Sequence, residues 1–219
     1  MEQDGFLRYD DGKAVIGVDV SEHQGDIDWQ AVADAGVEFA MLRVGYRGMT
    51  QGLLNADATF AQNYEEARAA GLQVGAYFFS QAITDAEAQA EADFAVETLD
   101  GRELDYPLVF DWEPPLPSEE LPAEDLRAYA MTGEEITGFA KAFSQRVEEL
   151  GYIPCVYTNK HMAYNTFNLT ELNEYDLWYA EYQPVPSLYY HFRMWQYTAS
   201  GTVPGIAGDV DINICFDPY

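Results

Sequence analysis

Two carboxylates stand one residue apart in the stretch YPLVFDWEPP, Tyr106 to Pro115. Leu108 to Phe110 suit a buried strand, with Pro107 at its entrance, and the run leads directly into Asp111 and Glu113. In an extended chain, side chains at i and i+2 share a face, about 7 Å apart along the backbone, while Trp112 points the other way. Pro114 and Pro115 stop the strand because neither can donate a ladder hydrogen bond. A carboxylate pair at the C-terminal end of a core strand is where an α/β barrel places its chemistry. A lone acid there would read as the chain re-entering water or capping the next helix. Doubling on one face, with aromatics and prolines alongside, weighs towards function.

Other acids can join this pair. Asp19 comes late in the strand-like AVIGVDVS, Ala14 to Ser21, and Asp209 and Asp211 belong to GDVDINIC near the C-terminus. Strands of a parallel barrel end on one rim, so acids distant in sequence would meet there. Carboxylates held together raise one another's pKa, which keeps one protonated while another stays ionised. Cleavage of a glycosidic bond needs that pair of states, and Glu113, beside Trp112 and the prolines, is the expected proton donor. Metal binding is the rival use of clustered acids. Asp209, Asp211 and Asn213 match the first three ligand positions of an EF-hand loop, but Ile214 stands where that loop needs glycine. Three scattered histidines and two distant cysteines have no zinc-ligand spacing. Neither a metal nor an organic cofactor is expected.

The elements that position these acids alternate. After Ala14–Ser21 come a helix from about Asp28 closed by Gly36, a strand Phe39–Tyr46, a helix capped by Asp57 and closed by Gly71, a strand QVGAYFFSQA, and a helix Asp85–Leu99. The strand bearing Asp111 follows. Strand–helix alternation predicts parallel strands joined by right-handed crossovers. An acidic, proline-rich loop, Pro115 to Pro122, leads to a helical region from about Ala123 and a helix Glu134–Leu150. Beyond it IPCVYTN, DLWYAEY, RMWQYTA and the last strand stand closer together, so the barrel is expected to be irregular: a TIM-like β/α barrel forming a single domain over 14–219, after a polar leader segment over 1–13.

Composition narrows the partners. At 219 residues and 48% hydrophobic content the chain can bury one substantial core. A net charge of −27, from 11 basic against 38 acidic residues, makes nucleic acid and anionic membrane surfaces poor partners. No apolar run reaches the ~18 residues of a membrane span, and the first residues lack the basic and apolar regions of a signal peptide. With 16 Tyr and 4 Trp, aromatics exceed what the core needs and suit sugar rings. Cys155 and Cys215 lie in apolar runs and read as buried thiols.

The segments IGVDVSEHQGDIDW, FAMLRVGYRG, GLQVGAYFFSQA, PLVFDWE, CVYTN, LWYAEY and MWQYTASGTVPGIAGDVDIN occur in this order from Ile16 to Asn213. Together they resemble glycoside hydrolase family 25, the bacterial and phage muramidases. The resemblance implies an irregular β/α barrel that cleaves the β-1,4 bond between N-acetylmuramic acid and N-acetylglucosamine in peptidoglycan. Carried over by position, the family's general acid falls on Glu113, its partner on Asp111, its first-strand acid on Asp19 and its late acid on Asp211, which leaves Asp209 structural. Phe78 stands where many relatives carry histidine, a departure from the family's pattern at the subsites and not at the reacting groups. Retention of configuration is implied, by attack of an aspartate or of the substrate's own N-acetyl group with Asp111 orienting it.

Tyr77, Tyr157, Trp178 and Tyr182 fall late in strands, where an aromatic face can meet a sugar, and Gln196 and Arg43 complete the expected substrate-contacting set. Arg43 reads equally as half of a structural ion pair. His23 is a candidate support for Asp19, while His161 and His191 read as surface residues. Phe79, Trp195 and Trp29 read as packing. A lysozyme acting as a monomer on peptidoglycan glycan strands, secreted or associated with the cell wall and not inserted in a membrane, is the leading expectation. A chitinase-type hydrolase and a non-catalytic wall-binding protein are the alternatives.

Overall fold

The computed structural model describes residues 2, 3, 6, 7 and 12–219. In chain order the elements are β1 (Glu2–Gln3), β2 (Phe6–Leu7), β3 (Val15–Val20), α1 (Trp29–Asp34), β4 (Phe39–Arg47), β5 (Leu54–Ala56), α2 (Phe60–Ala69), β6 (Gln73–Ser80), α3 (Asp85–Leu99), β7 (Leu108–Trp112), α4 (Gly133–Glu149), β8 (Pro154–Asn159), α5 (Lys160–Asn165), β9 (Asp176–Ala180), β10 (Met194–Gly201) and β11 (Val210–Cys215). Strands β3, β4, β6, β7, β8, β9 and β10 run parallel around a ring, and β11 closes it between β10 and β3. The expected irregular β/α barrel is therefore what the chain forms.

One strand departs from the all-parallel expectation. β11 runs antiparallel to both of its neighbours. The link over 202–209 is shorter than the dozen or so residues that a parallel crossover takes, so the chain turns back as a hairpin. The start of β11, not its end, consequently meets the C-terminal ends of the other strands.

Barrel closure requires small residues opposite large ones inside. A Cβ on Gly17 would lie 2.3 Å from the Phe39 ring, and one on Gly75 would lie 2.6 Å from Tyr106 Cβ. These two glycines give Phe39 and Tyr106 room to stack, with centroids 4.5 Å apart. Met41, Val109, Met194 and the free thiols of Cys155 and Cys215 fill the same interior. Outside the ring, α3 packs on β4 and β6, and α4 covers β7 through Phe143, which meets Phe110 at 5.3 Å.

Local signals fix most helix starts. Asp28 caps α1 by accepting from Ala31 N, and Thr132 and Glu135 form a reciprocal capping box on α4. Asp57 is not the cap of α2. Thr59 holds that position, and Asp57 is a buried acceptor for Thr59 N and Oγ1. The helical region expected from Ala123 is a 3₁₀ turn, Ala123–Asp125, and β5 and α5 are additional to the expected elements. The N-terminal segment expected as a leader lies mostly outside the described residues. Within it, β1 and β2 pair as an antiparallel ribbon, Phe6 is buried in the core, and Leu7 N donates to Tyr197 Oη at 3.2 Å. Among the described residues no helix is long and apolar enough to cross a membrane.

Candidate active site

Four carboxyl groups reach one cavity of about 310 Å³ at the barrel rim. Asp19 comes from the end of β3, Asp111 from β7, Glu113 from one residue beyond it, and Asp211 from the start of β11. The period of two along β7 turns Asp111 and Glu113 to the same side. Trp112, on the opposite face, is buried against the helices. Tyr77, Tyr157, Trp178, Tyr182, Gln196 and Arg43 line the same cavity, so all ten positions singled out in the sequence converge there. Asp209 is exposed and stands apart from the cluster.

Asp19 is held by neutral donors. Its Oδ2 accepts from Gln196 Nε2 at 2.9 Å and from Asn213 Nδ2 at 2.8 Å. Each amide is itself oriented: Gln196 Oε1 accepts from Tyr157 Oη at 3.2 Å and Tyr182 Oη at 2.8 Å, and Asn213 Oδ1 accepts from Trp178 Nε1 at 2.7 Å. A fully partnered chain of this kind fixes both rotamers in a low-dielectric setting. Trp178 is 1% exposed and meets Tyr157 and Tyr77 edge-on, at 5.1 and 5.8 Å. Its indole thus forms the floor beneath the cavity, whereas Tyr182, 52% exposed with its hydroxyl anchored, presents a ring to solvent.

All four carboxyls are displaced upward. Burial pushes Asp19 well above the usual range, and Asp211 adds to it. Burial does the same to Asp111, reinforced by Glu113 and Asp19 and opposed by Arg43. Glu113 rises through burial and Asp211, and Asp211 through burial. Desolvation penalises the charged form of each, so the cluster holds its protons to higher pH than isolated acids would. Asp111 Oδ1 is buried without a protein partner, so the desolvation of this carboxyl is not offset by a hydrogen bond there.

Arg43 lies in the wall but its hydrogen bonds go elsewhere: Nε to Asp57 at 2.8 Å and Nη2 to Glu22 at 2.9 Å. His23 lies against Arg43, with Nε2 3.4 Å from Nη1, and not against Asp19. Phe79, expected as packing, lines the cavity. Trp195 and Trp29 are buried, donating to Glu181 O at 2.9 Å and Asn63 Oδ1 at 3.2 Å. His161 and His191 are exposed. Asn213 escaped the sequence reading as a site residue. Its i+2 spacing from Asp211 was the available signal, since it puts both on one face. Among the described residues no three His, Cys, Asp or Glu side chains are grouped to hold a metal ion.

A closed β/α barrel with paired acids and aromatic walls at its rim has the build of a glycoside hydrolase. The model of the family Glycosyl hydrolases family 25 matches residues 18–206, and the chain belongs to that family. It is 29% identical over 198 residues to an autolytic lysozyme of Clostridium acetobutylicum, covering 90% of this chain and 54% of the relative. To lysozyme M1 of Streptomyces globisporus it is 29% identical over 213 residues, covering 93% and 68%. The structure of the modular autolysin LytC from Streptococcus pneumoniae in complex with a synthetic peptidoglycan ligand superposes with a TM-score of 0.77 at 23% identity, over 93% of this chain and 47% of that one. The chain thus spans about half the length of the clostridial lysozyme and of LytC.

Proposed function

We propose that residues 14–219 form a catalytic domain that hydrolyses the β-1,4 bond between N-acetylmuramic acid and N-acetylglucosamine in peptidoglycan, with retention. The observation that carries this reading is the convergence of Asp19, Asp111, Glu113 and Asp211 on one aromatic-walled cavity. The names of the two lysozymes and the ligand of LytC support the substrate class.

Glu113 is the general acid: burial favours its protonated form, which delivers the proton to the leaving oxygen. Asp111, two residues earlier on the same face and in the cavity wall, receives the N–H of the substrate's acetamido group on its carboxylate and orients the acetyl oxygen towards the anomeric carbon. Direct attack by an aspartate is the competing retaining route. Asp19 and Asp211 supply the field that stabilises the developing positive charge, and the hydroxyls of Tyr157 and Tyr182 hold Gln196 against Asp19. No step uses a metal or an organic cofactor. The protein acts as a monomer at the cell wall, as a secreted or wall-associated enzyme.

Reducing-end release from purified peptidoglycan by the wild type and Glu113→Gln, with products identified by mass spectrometry, tests the reading. New reducing N-acetylmuramic acid ends, lost in the variant, are the expected result. Activity that survives the substitution removes Glu113 from its role, preferential cleavage of chitin oligomers moves the substrate, and wall binding without turnover in either protein makes the chain a binding module.

A further inference from the structure

The carbonyl of Glu113 lies just past the sheet. Ser80 and Trp112 are the last register partners between β6 and β7, and Pro114 and Pro115 follow, so the backbone ladder cannot continue. Gln81 takes over at that point. Its side chain is fully buried, and Nε2 donates to Ser80 O and to Glu113 O, both at 2.9 Å. One primary amide thereby ties together the two strand ends on which the acid stands. Gln81 Oε1 has no protein partner, so the hydrogen bonding of this amide is spent entirely on the two carbonyls.

This clamp is itself anchored from behind. Ser80 Oγ donates to Glu91 Oε2 at 2.6 Å, and Glu91 Oε1 accepts from Arg47 Nε at 2.6 Å. Arg127 holds Glu87 through two hydrogen bonds, at 2.6 and 3.0 Å, and donates to Gln81 O at 3.3 Å. Such a shell locks a supported group more narrowly than strand pairing alone. The geometry points to Gln81 as the positioning residue of the general acid: its amide keeps the Glu113 backbone pinned so that the carboxyl stays in the desolvated cavity. Gln81 contacts no substrate and acts through Glu113, so the inference rests on the role given to that acid above.

The test compares wild type, Gln81→Met and Gln81→Glu. Methionine conserves volume and removes both donors. Loss of the clamp lets Glu113 move towards water, which weakens the burial that raises its pKa, so the alkaline limb of kcat shifts to lower pH by about one unit. A kcat at least tenfold lower with KM within twofold accompanies it. In Gln81→Glu the protonated carboxyl still donates one hydrogen bond at low pH, and its anion repels both carbonyls at higher pH. Activity near wild type at acid pH with an earlier alkaline loss is expected, and this variant also decides the matter should the methionine variant not fold. A carbon-13 NMR titration of the Glu113 carboxyl reads the same shift without turnover, so an inactive wild type would overturn the muramidase reading and leave this one measurable. An unmoved Glu113 titration in both variants, whatever happens to the melting temperature, would reduce Gln81 to a packing residue.

Discussion

Asp211 lies directly across from Asp19: the two are register partners in the antiparallel ladder between β11 and β3. Directly opposed residues of an antiparallel ladder have Cα atoms about 4.5–5.5 Å apart, close enough for one carboxyl to govern the other. Burial raises both carboxyls, and the charge of Asp211 raises Asp19 further. Asn213 and Gln196 saturate Oδ2 of Asp19 and thereby fix which oxygen remains for Asp211.

Activity should fall on the alkaline side as Glu113 loses its proton. Burial and Asp211 hold that carboxyl above the usual glutamate range, so the midpoint of the limb is expected above the ordinary value of about 4.3. Asp211→Asn removes the like charge and should move the limb to lower pH, as a kcat-against-pH profile on soluble glycan strands will read. A limb that stays in place would detach Asp211 from the acid.

Asp111→Asn should lower kcat by about 10²-fold or more while raising stability at neutral pH. The folded pKa of Asp111 lies above its unfolded value, so its stabilising contribution is full below about pH 4 and is lost as pH rises through the folded value. The amide has no charge to desolvate. A gain of about 1 kcal/mol, or ~2–4 °C in melting temperature, is expected at pH 7 and should vanish near pH 3 in thermal melts.

Asn213→Leu should cost both structure and function. It removes one of the two donors to Asp19 and leaves the buried Trp178 indole N–H without its acceptor. A loss of about 2–3 kcal/mol is expected in urea unfolding, from the unsatisfied indole together with the broken network. A variant as stable as wild type would mean that the network is slack.

Arg47→Met should destabilise in a pH-dependent way. Arg47 pairs with Glu91 at 2.6 Å, and Glu91 is fully buried, its pKa raised by burial to about 7. Removing the guanidinium strands the carboxylate, at a cost of about 3–5 kcal/mol near pH 8. Below about pH 5 the carboxyl is protonated and most of the loss should disappear. Melting curves at the two pH values would reveal an equal loss at both, which would place the effect in packing instead.

What the chain determined by itself was local. Period-two spacing placed Asp111 and Glu113 on one face, the prolines ended β7, and strand–helix alternation prescribed the barrel, because each of these follows from geometry within a few residues. The ordered motifs from Ile16 to Asn213 carried the family and, through it, the roles of the four acids, while late-strand placement marked the aromatics that share their cavity. Tertiary structure decided the rest. A parallel β11 would have carried Asp211 to the far rim, and only the hairpin from β10 brings its starting end beside Asp19. Asn213, Gln81 and Asp57 are polar residues in apolar or loop surroundings whose meaning lies in partners elsewhere in the chain: Asp19 and Trp178, Glu113, and Arg43. That Trp178 is a floor and the Tyr182 ring is open depends on what packs above them. Burial of that kind is a property of the assembled barrel, since the neighbours that exclude water arrive from distant strands.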